Sequence, residues 1–250
     1  MGNNRMEAGR GRGKAVVNPG QGGAKRPFYM LLAAILVGGI AILSYMATRP
    51  TLVGQVDTTI KPIPNQGHSI GSDSAPMEVV EFGDFECPAC GSFSTLTEPD
   101  VRARLVLTGK IRFRFMDLPL SGHGNTWPAH MAAWCAGEQG KFWEMHDALY
   151  QSQDRWNTEA TRRPEKYMSE LARQVGVGME QYAQCMSTEK YRPQVKANME
   201  EATRFGVGQT PTFIMGSRRY PGVMPYDEFK ARVDSVIAET SAAKGTKKAK

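Results

Sequence analysis

Cys87-Pro88-Ala89-Cys90 directly follows the apolar run Met77 to Phe85, and a separate Thr210-Pro211 stands far downstream. Two cysteines two residues apart, where a strand gives way to a helix, can pass electrons to and from another sulfur pair. The attacking species is the thiolate, and a free cysteine ionises only near pH 8.5. Cys87 is expected at the N-cap of a helix, with Pro88 at a favoured first-turn position. Unpaired N–H groups and the positive end of the helix dipole stabilise an anion there. Such settings bring a cysteine to a pKa of roughly 3.5–7.5. Cys87 then reads as an accessible nucleophile that exchanges with a partner's sulfur. Cys90, one turn on and less exposed, resolves the mixed disulfide.

Other readings of the pair are weaker. Zinc wants four ligands, in a second Cys-x-x-Cys or a closely spaced His pair. Cys135 and Cys185 are solitary, and His68, His123, His130 and His146 form no paired motif. A purely structural Cys87–Cys90 bridge would close too short a loop to staple much. Glu81 shares a strand face with Val79 and Met77, which places it beneath the dithiol. A buried carboxyl there has a raised pKa and can take the proton of the resolving thiol; the alternative is an edge position facing solvent. Pro211 cannot donate to a sheet ladder and belongs at a strand start. A cis bond would expose the Thr210 backbone to an extended substrate, and a trans proline opening a strand is the commoner state. Cys135 and Cys185 are either two buried thiols on apolar helix faces or a second, structural disulfide.

Alternating and periodic patterns supply the elements that hold these residues. Met77 to Phe82 reads as a central strand, and Ile111, Phe113 and Phe115 alternate with arginines as a second. Between them a helix is expected from Cys87 to about Leu107, kinked at Pro99. From Thr126 to Phe205 the pattern is helical, with Met168, Leu171, Ala172 and Val175 at i, i+3, i+4, i+7. Pro211 to Met215 is a third strand, a short strand ends at Pro221-Gly222, and Tyr226 to Ile237 closes the domain as a helix. The order gives an α/β layer with an inserted helical subdomain.

The N-terminus concerns location. Residues 28–47 carry no charge, and as a helix they rise roughly 30 Å, the thickness of a bilayer core. Tyr29 and Tyr45 sit near the ends, where aromatic rings favour the interface. Arg5, Arg10, Arg12, Lys14, Lys25 and Arg26 precede the stretch, so the positive-inside rule keeps 1–27 cytoplasmic and exports the rest. A cleaved signal peptide has a shorter apolar region and a small-x-small site, and Tyr45 fits that poorly. The expected organisation is a disordered 1–27, an anchor 28–47, a Pro/Gly-rich tether 48–73, a folded domain 74–239 with its insertion at about 122–206, and a basic tail 240–250. Apolar (41%) and charged (22%) contents suit a packed core, and the net charge of +6 lies mostly at the two ends, which is no footprint of nucleic-acid binding.

Val80-Glu81-Phe82, Cys87-Pro88-Ala89-Cys90 and Gly208-Gln209-Thr210-Pro211-Thr212-Phe213, in this order, resemble the thioredoxin-fold proteins of the DsbA-like class. Ala132 to Ala136, Gln139 to Trp143 and His146-Asp147 resemble the inserted helical region of that class. The resemblance implies a thioredoxin fold with a helical insertion, a nucleophilic Cys87, a resolving Cys90, a cis Pro211 and a buried acid at Glu81. Pro88, Ala89, Thr210 and Pro211 would face substrate. Two departures stand out. Ala89 replaces the histidine of the strongest oxidases, and Gln209 stands where the class often has glycine.

The reading is a membrane-anchored thiol-disulfide oxidoreductase, an oxidase of exported proteins reoxidised by a membrane partner. It is expected to be a single-pass monomer of the bacterial inner membrane, with its catalytic domain on the outer side and no metal or cofactor. A reductase or isomerase would use the same site, although 48–73 looks too short and loose to dimerise an isomerase. A copper protein using Cys87, Cys90 and one of the 14 methionines and a non-catalytic chaperone are the readings from other classes. His146 and Trp143 read as core or surface residues without chemistry.

Overall fold

The structure, a computed structural model, describes residues 25–48, 54–56 and 67–248. Most of the N-terminal segment 1–27 and much of the tether therefore lie outside the described residues. Lys25–Thr48 is one helix, α1, and its stretch Phe28–Tyr45 is long and apolar enough to cross a membrane.

The remaining described residues build one six-stranded sheet around two parallel central strands. In chain order the strands are β1 (Gly54–Gln55), β2 (His68–Ile70), β3 (Glu78–Gly83), β4 (Arg112–Asp117), β5 (Thr212–Met215) and β6 (Arg218–Pro221), and across the sheet they run β1-β6-β5-β3-β4-β2. β3 and β4 are parallel, with Glu81 opposite Phe115, and every other pairing is antiparallel. β3 has neighbours on both sides, which its Val- and Phe-rich sequence favours.

The parallel pair needs a crossover, and α2 (Pro88–Leu96), α3 (Glu98–Val101) and a π-helical turn (Arg102–Val106) supply it. Pro99 was expected to kink one continuous helix. The break instead falls at Thr97 (φ −117°, ψ −44°), and Pro99 sits in the first turn of α3. Proline lacks an N–H and clashes with the carbonyl four residues back, so the interruption lies ahead of it. Past α3 the N–H of Leu107 reaches the Arg102 carbonyl, and the helix ends on this wider turn.

Against one face of the sheet, Phe93, Val101 and Leu105 of the crossover meet Phe213, Phe229 and Val233, all buried. Phe82, Met116 and Ile214 form the other face and pack on Ala202 and Val207. Between β4 and β5 come α4 (Thr126–Gly137), α5 (Phe142–Gln151), α6 (Gln153–Trp156), α7 (Pro164–Gln174), α8 (Met179–Ser187) and α9 (Arg192–Arg204). Their common core of Ala132, Met145, Leu149, Trp156, Met168 and Leu171 is continuous with Phe85, Cys87 and Cys90. Asp117 at the end of β4 anchors this block. It lies 2.5 Å from His130 Nδ1 and accepts from Trp134 Nε1 at 2.8 Å and Asn198 Nδ2 at 2.5 Å. Buried carboxylates persist only when paired in this way.

Two boundaries differ from the sequence reading. The tether 48–73 contributes two edge strands, β1 and β2, because main-chain pairing of two or three residues needs no hydrophobic period. Residues 240–248 of the expected tail continue the last helix, α10 (Tyr226–Lys248), beyond Ile237. No proline stops it, and the Thr240 hydroxyl bonds back to the Val236 carbonyl at 2.8 Å.

Candidate active site

β3 delivers the chain to the site, and the turn Asp84-Phe85-Glu86 folds it into α2. The Cys87 N–H donates to the Asp84 carbonyl at 3.0 Å and the Glu86 N–H to Asp84 Oδ1 at 2.8 Å. Cys87 is the N-cap of α2, with extended backbone (φ −72°, ψ 121°), and Pro88 opens the first turn. Its own sulfur caps nothing, so it is available to other partners.

Cys87 and Cys90 are both free thiols. Cys90 is fully buried. Cys87 was expected to be accessible, yet it is only 6% exposed. The Thr210 segment covers it, and Cys87 Sγ donates to the Thr210 carbonyl at 3.5 Å. Pro88 is exposed and Ala89 half-buried at the rim.

The two sulfurs have opposite acidities. Hydrogen bonding from Cys90 lowers the Cys87 pKa to about 5, assisted by the Thr210 side chain and by the N–H groups of Cys90 and Ala89, against a smaller opposing effect of burial. Burial pushes Cys90 well up, and its bond to Cys87 and the nearby Glu81 and Cys87 charges push it the same way. Such a pair ionises at one sulfur and keeps the other protonated, as exchange through a mixed disulfide requires.

Glu81 is 1% exposed on β3. Burial raises its pKa well above the usual carboxylate value, and the Glu98 charge adds to this while Arg102 opposes it. Glu81 Oε2 has no hydrogen-bond partner among the described residues. A carboxyl that stays protonated near a raised-pKa thiol can trade a proton with it.

Thr210–Pro211 is a cis peptide, and it leads directly into β5. The Pro211 carbonyl accepts from the Gly222 N–H at 2.8 Å. Gly208 and Gln209 are exposed ahead of it. The structure thus brings together Cys87, Cys90, Glu81, Pro88, Ala89, Thr210 and Pro211. Cys135 and Cys185 are not part of this group. A disulfide joins them, with Cα atoms 5.7 Å apart, between α4 and α8.

Several supporting residues escaped the sequence reading. Asp84 accepts from the Leu120 N–H at 2.9 Å and from the Thr126 hydroxyl at 2.5 Å, and it lies 2.7 Å from His123 Nδ1. Glu86 accepts from the N–H groups of Asn125 (2.7 Å) and Thr158. Gln153 Nε2 donates to the carbonyls of Phe85 (2.7 Å) and Cys87 (3.0 Å), and Tyr150 donates to the Asp84 carbonyl at 3.2 Å. These bonds fix the dithiol turn to the inserted helices. The run of acids in Glu81, Asp84 and Glu86, all within or beside an apolar strand, was the one available signal. His123 supplies an imidazole to this neighbourhood, where Ala89 has none. Burial works against its protonation, but the Asp84 bond and the Asp84, Glu86 and Cys87 charges raise its pKa overall. Among the described residues no three His, Cys, Asp or Glu side chains are grouped to hold a metal ion.

A family model described as thioredoxin matches residues 64–235. Sodium/proton antiporter NhaA 1 of Salinispora arenicola is 32% identical over 188 residues, covering 75% of this chain and 27% of that protein. The chain therefore spans about a quarter of the length of that relative. Disulfide bond formation protein D of Bacillus subtilis is 26% identical over 67% of this chain and 76% of its own length. Oxidised BdbD from Bacillus subtilis superimposes with a TM-score of 0.64 at 23% identity, covering 76% of this chain and all of that one, a likeness of fold. With its dithiol at the N-terminus of α2 and a family match over most of its length, the chain belongs to the thioredoxin family.

Proposed function

We propose that this protein is a membrane-anchored oxidase that places disulfides in exported polypeptides. The observation that carries the reading is the split acidity of the dithiol, Cys87 at about 5 and Cys90 well above its usual value. Stabilising the thiolate stabilises the reduced form, which makes the couple more oxidising.

In the oxidised form a substrate thiolate attacks Cys87 Sγ and breaks the Cys87–Cys90 bond. Cys90 leaves and takes a proton from Glu81. The substrate's second thiolate then attacks the mixed disulfide, its own S–S bond forms, and Cys87 departs as a stable thiolate. Two electrons have passed to the protein dithiol. The Thr210 backbone and the exposed Pro88 receive the extended substrate chain.

The apolar stretch 28–47 and the cations ahead of it support an anchor with a cytoplasmic N-terminus and a catalytic domain on the outer side. A membrane redox partner would reoxidise the dithiol, and the protein would work as a monomer. Equilibration with glutathione tests the direction of electron flow. The oxidase reading expects a potential toward the −120 mV end of the roughly −270 to −120 mV span of such dithiols. A value near the lower limit makes the protein a reductase. Labelling Cys87 with a membrane-impermeant maleimide in intact cells, after mild reduction of the dithiol, tests the location, and labelling that appears only once the cells are permeabilised contradicts it.

A further inference from the structure

β3, α3, the π-helical turn and α5 bring together a row of ionisable side chains that runs from the dithiol to the partly exposed Asp147. Glu81 is the inner end, and Glu98, Arg102, Cys87, Cys90 and Tyr150 act on it or feel its charge. Glu98 is equally buried, at 1% exposed. Its Oε1 accepts from Arg102 Nε at 2.9 Å and Nη2 at 2.7 Å. Its Oε2 has no hydrogen-bond partner among the described residues and lies 3.9 Å from His146 Nε2, which also has none. Across the ring, His146 Nδ1 is 2.8 Å from Asp147 Oδ1. Arg102 closes the row with two bonds of 2.9 Å to Asp147 and a contact of 3.2 Å from Nη2 to His146 Nδ1, and the Tyr150 ring lies 4.9 Å from the His146 ring. Asp147 is 40% exposed, and with Arg102 it lines a cavity of about 470 Å³ bounded by Ser94, Pro99, Ala103 and Leu107.

A substrate over Cys87 would close the front of the site while Glu81 still has to change its protonation state. We propose that Glu98 and His146 carry the Glu81 proton to and from solvent through this rear cavity, with Arg102 holding the row in place and Asp147 as its outer end. The proposal rests on the role given to Glu81 above. Glu98 and His146 are relay residues and touch no reacting sulfur. When the reduced protein is reoxidised, the protonated Glu81 first releases its proton to Glu98. The His146 ring takes a proton at one nitrogen and gives one up at the other, and Asp147 passes it to water. The emptied Glu81 then accepts the Cys90 proton as the new disulfide forms. The Cys87 thiolate attacks the disulfide reagent, whose S–S bond breaks, and Cys90 then displaces the second reagent thiol from Cys87, so that one proton leaves for each one received and the two electrons end on the reagent's two thiols.

Stopped-flow oxidation of the reduced full chain by glutathione disulfide, followed across pH, tests this. Glu98→Gln should slow the reaction by about tenfold at neutral pH, short of the roughly hundredfold a direct general acid or base contributes. Asp147→Asn, at a partly exposed position, should slow it in the same way with less risk to the fold. Formate or imidazole should restore part of the rate, and the ultraviolet titration of Cys87 should not move. In a Glu81→Gln background neither substitution should slow the reaction further. Wild-type rates in both single variants, or slowing that persists in the Glu81→Gln background, overturn the relay while Glu81 keeps its role. A wild-type rate in Glu81→Gln itself removes Glu81 from the chemistry and the relay with it.

Discussion

Cys87 Sγ and the Thr210 carbonyl oxygen lie 3.5 Å apart in a hydrogen bond that spans 123 positions of sequence. It sets the attacking sulfur against the backbone that leads into β5. A polypeptide paired with that backbone would present its own sulfur to Cys87 and not to the buried Cys90. Cys87→Ala should therefore abolish disulfide exchange. Cys90→Ala should keep the first attack and accumulate mixed disulfides, visible as reducible high-mass species on non-reducing gels. Full turnover in either variant contradicts the mechanism.

The depressed pKa of Cys87 makes stability depend on redox state and pH. Its folded-state value of about 5 lies below the value of about 8.5 for an unfolded thiol. The thiolate's contribution is complete above the unfolded value and is lost as pH falls through the folded one. The reduced protein should thus gain stability relative to the oxidised protein as pH rises from about 5 to about 8.5. Glu81 is present in both forms and largely cancels. Urea midpoints of the two redox forms at several pH values check this, and a pH-independent difference contradicts it.

Glu81 titrates with the opposite consequence. Its folded pKa is raised by burial, so its contribution is present at low pH and lost as pH rises above the unfolded value of about 4.3. Glu81→Gln should be relatively more stable than the wild type at alkaline pH, yet slower in thiol exchange at neutral pH. Thermal unfolding and exchange rates on the same samples separate the two effects.

The Cys135–Cys185 bond closes a separation of 50 residues within the insertion. Replacing both cysteines with alanine should cost at most about 4 kcal/mol of stability by loop entropy. Exchange at the dithiol should survive at a temperature where the variant is folded. Denaturant unfolding with and without the substitutions measures the loss.

Much of this site was legible because its chemistry is local in sequence. Cys87 to Cys90 sits between an apolar strand and a helix start, and Thr210-Pro211 opens a strand, so residue type and position suffice. The burial of Glu81 also followed from the period of β3. The covering of Cys87 did not, because it depends on a contact with Thr210 from the far end of the domain. Asp84, Glu86 and Gln153 were missed for a related reason. Their roles come from bonds to loops and helices 36 to 72 residues away, such as the 68-residue separation between Gln153 and Phe85. β2 was invisible because three residues carry no pattern, and its place is fixed only by pairing with β4.

Titration of the Cys87 thiolate in the reduced protein, by its ultraviolet absorbance and with Cys87→Ser as the blank, tests the central claim most directly. Ionisation centred near pH 5 is the predicted result. A transition at about 8.5, that of an ordinary cysteine, would contradict the account.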